Sequence, residues 1–237
     1  MSEPVSFPLS PFENKARIHA HIAFFAFMVA LPLGIGAARY LRTFTDSWFW
    51  PHFIVNFFVT GPLVFTAFAL GYQTTQAGFT PHFSDPHQKG GLALLILYLV
   101  QVFLGAFIHW VKLPIRFPGG RPPQNYVHIV LGLTIIGLAS WQTHYGLWTE
   151  WAFATGNAHP VTWHCKDFWL AIVIVSLPSR SSGPHLSLTT RQIVWSLYGL
   201  GLFLLPRQLK QEAARRKFVL ENSKLDGKGS KDDVPLM

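Results

Sequence analysis

The sequence predicts an all-α, polytopic transmembrane helix bundle, and three observations carry the prediction. Half of the 237 residues are hydrophobic and only 13% are charged, about half the charge of an ordinary soluble domain. The apolar residues are gathered into long runs. The clearest, His87–Trp110, lies in a stretch with no charge between Lys89 and Lys112, long enough to cross a hydrocarbon core of about 30 Å as a helix. Finally, four such runs each carry a histidine at or near their head: His19, His52, His87 and His128.

In chain order, residues 1–16 are polar and proline-bearing and read as a flexible arm. They hold no apolar stretch of the signal-peptide kind, so the first span is expected to direct insertion. Span one is expected over Arg17–Leu41. Pro32 is tolerated there because neighbouring helices re-satisfy the freed backbone. Ala30, Gly34, Gly36 and Ala37 would let a second backbone, or a flat cofactor, come close. Span two is expected over Trp48–Tyr72, with Trp48 and Trp50 as interfacial anchors. A turn-rich loop, 73–86, leads to span three, His87–Val111. A basic, proline-rich loop, 112–124, leads to span four, Asn125–Tyr145. Trp148, Trp151 and Trp163 read as an aromatic belt at the membrane surface.

The fifth helix is interrupted. Phe168–Leu177 and Ile193–Leu205 are apolar but each too short to span. Between Ile174 and Ile193 lies Val175–Gln192, with two prolines, a glycine, two arginines and several serines, a composition that cannot sit in lipid as regular helix. The stretch is expected to be either a retained intron or a loop joining two half-helices. The transmembrane domain is thus expected over 17–206, followed by a basic tail, 207–237. No internal repeat is expected.

The net charge of +8 speaks to topology rather than to nucleic acid. One side of the expected bundle holds Arg39, Arg42, Lys112, Arg116, Arg121 and the tail cations, and is expected to be cytoplasmic. The N-terminus is then extracytoplasmic. The single cysteine, Cys165, excludes an intrachain disulfide.

The histidines suggest chemistry. Successive antiparallel spans start on opposite faces, so His19 and His87 share one face, and His52 and His128 the other. Titratable rings at the mouths of lipid-crossing helices point inward, toward something that needs nitrogen ligands. A haem iron with an imidazole on each side is six-coordinate and suits one-electron transfer. The expected core is therefore dihaem, paired His19–His87 and His52–His128. His21 lies on the opposite side of its helix from His19. His109 and His144 read as interface residues, and His82 as a loop residue. His159, His164 and Cys165 lack the further ligands of a zinc site. A haem-free structural or transport membrane protein is the alternative.

Within Arg17–Tyr145 the chain resembles the cytochrome b561 family, especially members fused to DOMON domains. The residues that carry the resemblance are His19 with Pro32 and Ala38-Arg39-Tyr40-Leu41, Trp48-Phe49-Trp50-Pro51-His52, His87 with Gly90-Gly91, and Asn125-Tyr126-Val127-His128 with Gly132. The resemblance implies two haem b groups on the four histidines. It also implies electron transfer from a cytoplasmic ascorbate-like donor to an external acceptor, monodehydroascorbate or ferric iron. Arg39 and Arg42 would then lie near the cytoplasmic haem and an anionic donor. The expected partners are that donor, the acceptor, the lipid bilayer and a second copy of the chain. The chain departs from the fused members in having no DOMON domain.

Overall fold

The computed structural model describes residues 8–111, 121–173 and 199–232. Among them there is no strand, and four helices are long and apolar enough to cross a membrane. These are α1 (Pro11–Leu41), α2 (Asp46–Ala77), α3 (Pro86–Trp110) and α4 (Pro123–Ala154). Further along come α5 (Trp163–Val173), helical residues at 199–202, and α6 (Leu205–Asp232). The chain is a multi-pass integral membrane protein built as a helical bundle. The interrupting stretch Val175–Gln192 lies outside the described residues.

The helix ends follow local chemistry. α1 begins at Pro11, earlier than the expected Arg17, because Ser10 and Glu13 form a capping box. The Ser10 hydroxyl accepts from the Glu13 N–H at 3.2 Å, and the Glu13 carboxylate accepts from the Ser10 N–H at 2.7 Å. Two of the helix's otherwise orphan donors are satisfied in this way. Part of the expected flexible arm is therefore helix. α3 starts where the Asp85 side chain accepts from the Gln88 N–H, with Pro86 in the first helical position. α2 and α4 run past their expected ends at Tyr72 and Tyr145.

Two segments of π-helix, Phe25–Ala30 in α1 and Ile54–Thr60 in α2, lie just before Pro32 and Pro62. A proline ring crowds the carbonyl four residues back, and a widened turn relieves that clash. The prolines thus leave both helices continuous.

α1 packs along α2 and α3 along α4. α1 also touches α4, and α2 touches α3. α1 and α3 consequently face each other across one diagonal of the bundle, and α2 and α4 across the other. A central apolar layer fills the middle: Phe27, Met28 and Leu31 of α1, Val64 of α2, Leu94 and Tyr98 of α3, Ile135 and Ile136 of α4. Tyr98 is 3% exposed and donates its hydroxyl to the Asn56 carbonyl at 2.6 Å. This bond ties α3 to the π-helical turn of α2. Tyr98→Phe should lower unfolding stability in detergent by about 1 kcal/mol, the usual worth of such a bond between membrane helices. Unchanged stability in an SDS titration would mean that the bond contributes nothing.

Candidate functional site

Antiparallel pairing lays the head of each helix beside the foot of its neighbour, and the four histidines all sit at heads. His19 of α1 meets the foot of α2. Its Nδ1 lies 2.7 Å from the Ala67 carbonyl, and a Cβ on Gly71 would fall 2.9 Å from its Cε1. His52 of α2 meets the foot of α1, with Nδ1 2.8 Å from the Gly34 carbonyl. Asn56 covers the same glycine and donates to the His52 carbonyl at 2.8 Å. A carbonyl can only accept, so Nδ1 of both rings carries the proton and Nε2 keeps its lone pair.

The second pair of helices repeats the exchange by other means. The Gln142 amide of α4 donates to the carbonyl of His87, at the head of α3. The Gln101 amide of α3 donates to the carbonyl of His128, near the head of α4, at 2.8 Å. Gly146 and Gly105 give the two rings room. A Cβ on Gly146 would fall 3.2 Å from His87 Cε1, and one on Gly105 3.2 Å from His128 Cε1. The spacing is the same in both helices. Gln101 follows His87 by fourteen residues and Gly105 by eighteen; Gln142 and Gly146 follow His128 by the same intervals. Within α1 and α2, Gly34 and Ala67 each follow their own histidine by fifteen. The bundle therefore contains an internal antiparallel repeat that a reading of hydropathy and composition does not find.

Across the diagonals the rings meet in two pairs. His19 and His87 have ring centroids 6.2 Å apart with planes at 80°. His52 and His128 have centroids 6.3 Å apart with planes at 71°. The structure thus brings together the residues that topology alone pairs. His52 accepts help from Gly34 on α1, so its ring lies level with a residue fifteen beyond His19. At the helical rise this separates the two pairs by about 20 Å, with the apolar layer between them.

Other described histidines have partners of their own. His21 Nδ1 sits 2.7 Å from its own helix carbonyl at Arg17. His109 stacks on Phe49 at 3.7 Å, His82 on Tyr72 at 3.9 Å and His144 on Trp148 at 4.5 Å. Trp148 also packs against the buried Trp169, so it is part of an inward aromatic cluster rather than a plain surface belt. His159 lies 3.9 Å from Glu13, and Cys165 takes a hydrogen bond from Thr162.

Arg42 lies beside the His52–His128 pair. Its guanidinium is 4.7 Å from the Trp48 ring, and Trp48 is 6.4 Å from His52. Arg42 is paired with Glu212 of α6 at 3.0 Å. Arg121 joins them as a fork, its Nε and Nη2 3.0 and 2.7 Å from the two carboxylate oxygens. Buried Gln208 of α6 donates to the Arg39 carbonyl and the Thr43 hydroxyl. Gly201 makes room for the stem of Arg39, since a Cβ there would fall 2.6 Å from Arg39 Cγ. The expected Arg39–Arg42 cluster therefore has two members that sequence did not assign to it, Arg121 and the acidic Glu212.

The donor set can be tested against a haem. A metal bonded to two Nε2 atoms at about 2 Å each sets the ring centres about 6 Å apart, which both pairs match. Among the described residues no group of three or more His, Cys, Asp or Glu side chains converges on a metal position. Structural and catalytic zinc take three or four protein ligands. A pair of neighbouring imidazoles suits a macrocycle that would bring the remaining nitrogen ligands itself. The residues present fit the group. No family model matches the chain, and neither does any curated protein or solved structure.

The Glu212 fork makes its own forecast. Glu212→Ala should free α6 from the bundle and speed tryptic cleavage after Arg207 and Lys210 several-fold. Equal cleavage rates would mean that Gln208, and Gln211 donating to the Thr43 carbonyl at 3.2 Å, hold the helix without the carboxylate.

Proposed function

We propose that this chain is a transmembrane electron carrier of the cytochrome b561 type, with one haem b between His19 and His87 and another between His52 and His128. The observation that carries the reading is the two imidazole couples, each drawn from diagonal helices and each at a centroid separation suited to one metal. The b561-like residues around all four histidines support it. When bound, each group would be held by its two histidines and would supply a one-electron couple. The protein's part is to hold each Nε2 in place, to exclude water with the central apolar layer, and to place the two couples toward opposite faces.

The excess of arginine at the His52–His128 end supports a cytoplasmic location for that end and an extracytoplasmic N-terminus. An ascorbate-like donor would then reduce the His52–His128 site, and the His19–His87 site would reduce monodehydroascorbate or ferric iron outside. Trp48 neighbours both Arg42 and His52, its ring 4.7 Å from the guanidinium and 6.4 Å from the imidazole, and could relay an electron between that surface and the His52–His128 couple.

A reduced-minus-oxidised spectrum of the purified protein should show b-type haem bands. Their absence would favour a haem-free transport or structural role. His52→Ala and His128→Ala should each remove the same spectral component, and His19→Ala and His87→Ala the other, leaving about half the haem in every case. Loss of one component by both His19→Ala and His52→Ala would overturn the pairing. His21→Ala should keep both.

Arg39→Gln with Arg42→Gln should slow reduction by subsaturating ascorbate at low salt about tenfold, the worth of one charge-assisted hydrogen bond, with haem content unchanged. Stopped-flow absorbance reads this directly. Unchanged kinetics would leave the two arginines as topology anchors.

A further inference from the structure

The four histidines are not equally provided for. His19 and His52 place Nδ1 against the carbonyls of Ala67 and Gly34. His87 and His128 have buried Nδ1 atoms with no hydrogen-bond partner. A metal-bound imidazole normally donates its other N–H, and that bond fixes the tautomer and raises the ring's basicity. Each proposed haem would thus have one axial ligand with this support and one without.

Two further orphans belong to the glutamines that bond the backbones of these two histidines. Gln142 Oε1 and Gln101 Oε1 are buried acceptors without a donor. Each belongs to the amide whose nitrogen already holds the carbonyl of the histidine in question, Gln142 on His87 and Gln101 on His128. The room around the amides is equally specific. Gly90 lies directly against Gln142 Oε1, and a Cβ on Gly132 would fall 3.0 Å from Gln101 Nε2. A buried unpaired donor and a buried unpaired acceptor each cost free energy, and one hydrogen bond would remove both costs.

We propose that, with haem bound, Gln142 accepts the Nδ1–H of His87 and Gln101 accepts the Nδ1–H of His128. They are the side-chain counterparts of the Ala67 and Gly34 carbonyls and act as positioning residues that set the donor strength of one axial ligand per haem. The inference rests on the dihaem reading and deepens it. Each glutamine acts on one haem only: Gln142 on the His19–His87 site, Gln101 on the His52–His128 site.

The test is a potentiometric titration of the full-length haem protein in detergent, with glutamate and methionine in turn at each position. Glutamate is a stronger acceptor, makes the imidazole more electron-rich, favours the ferric state and lowers the potential of its own haem. Methionine accepts nothing useful and raises that potential. The rise in the methionine variants decides the matter, because a buried glutamate charge lowers the potential of a nearby haem whether or not it meets Nδ1. A purely structural clasp would leave the potential of each methionine variant unchanged or lowered. Either result overturns the proposal. If burial of the glutamate charge prevents accumulation, the low-spin ferric signals of the methionine variants serve instead. Gln142→Met should shift the largest g value of the His19–His87 haem alone, and Gln101→Met that of the other. Unchanged g values at both haems overturn the proposal. A wild-type protein that purifies without b-type haem overturns the dihaem reading first, and this inference falls with it. A two-haem wild type whose methionine variants show no rise overturns only the role given to the glutamines.

Discussion

A histidine ring inside a lipid-crossing bundle has two nitrogens to satisfy and little water to satisfy them. That constraint shapes the rest of this molecule. His21 takes the Arg17 carbonyl of its own helix, whereas His19 and His52, turned into the bundle, take theirs from the neighbouring helix. The neighbour's backbone is reachable only where its side chain is small. Gly34 and Ala67 supply carbonyls where they are needed, while Gly71, Gly105 and Gly146 clear the space beside three of the four rings. The antiparallel arrangement follows from the same demand, since it sets each head against a foot that can serve it.

Hydropathy and length made the four spans legible, and parity of crossing was enough to pair the histidines by face. The helix ends were less so. The Ser10-x-x-Glu13 signature was present in the sequence, but the prolines around it suggested a loop, and Pro11 proved to be the first residue of the helix. The glutamines and glycines that serve the histidines went unread for a different reason. Fourteen and eighteen residues are close to four and five helical turns, so Gln101 and Gly105 share the face of His87, and Gln142 and Gly146 that of His128. Such a sparse stripe emerges only when the neighbouring helix shows what each member touches. Glu212 carries no local signal at all, because its partners Arg42 and Arg121 lie far back in the chain.

The inner bundle is nearly the same from either end, whereas its two mouths differ. At the His52–His128 end a single carboxylate is shared by two guanidiniums, and Gln208 bonds α6 to the foot of α1. At the other end an aromatic cluster of His144, Trp148 and Trp169 lies beneath Lys166. A repeat that makes the two sites alike cannot itself give electrons a direction. Under the dihaem reading, any preference for one direction has to come from these dissimilar mouths and from the partners that approach them.

The diagonal arrangement also bears on how the molecule is made. Neither α1 with α2 nor α3 with α4 holds a complete pair of rings, although each is a tightly exchanged hairpin. The His19–His87 couple exists only once α3 has joined the first hairpin, and the His52–His128 couple only once α4 has closed the bundle. Under the dihaem reading the first hairpin would therefore wait in the membrane with half of each site and no complete pair of ligands. Loading would be a late event, ordered from one face to the other, and a chain that stalls after α2 would leave the ribosome as an empty hairpin.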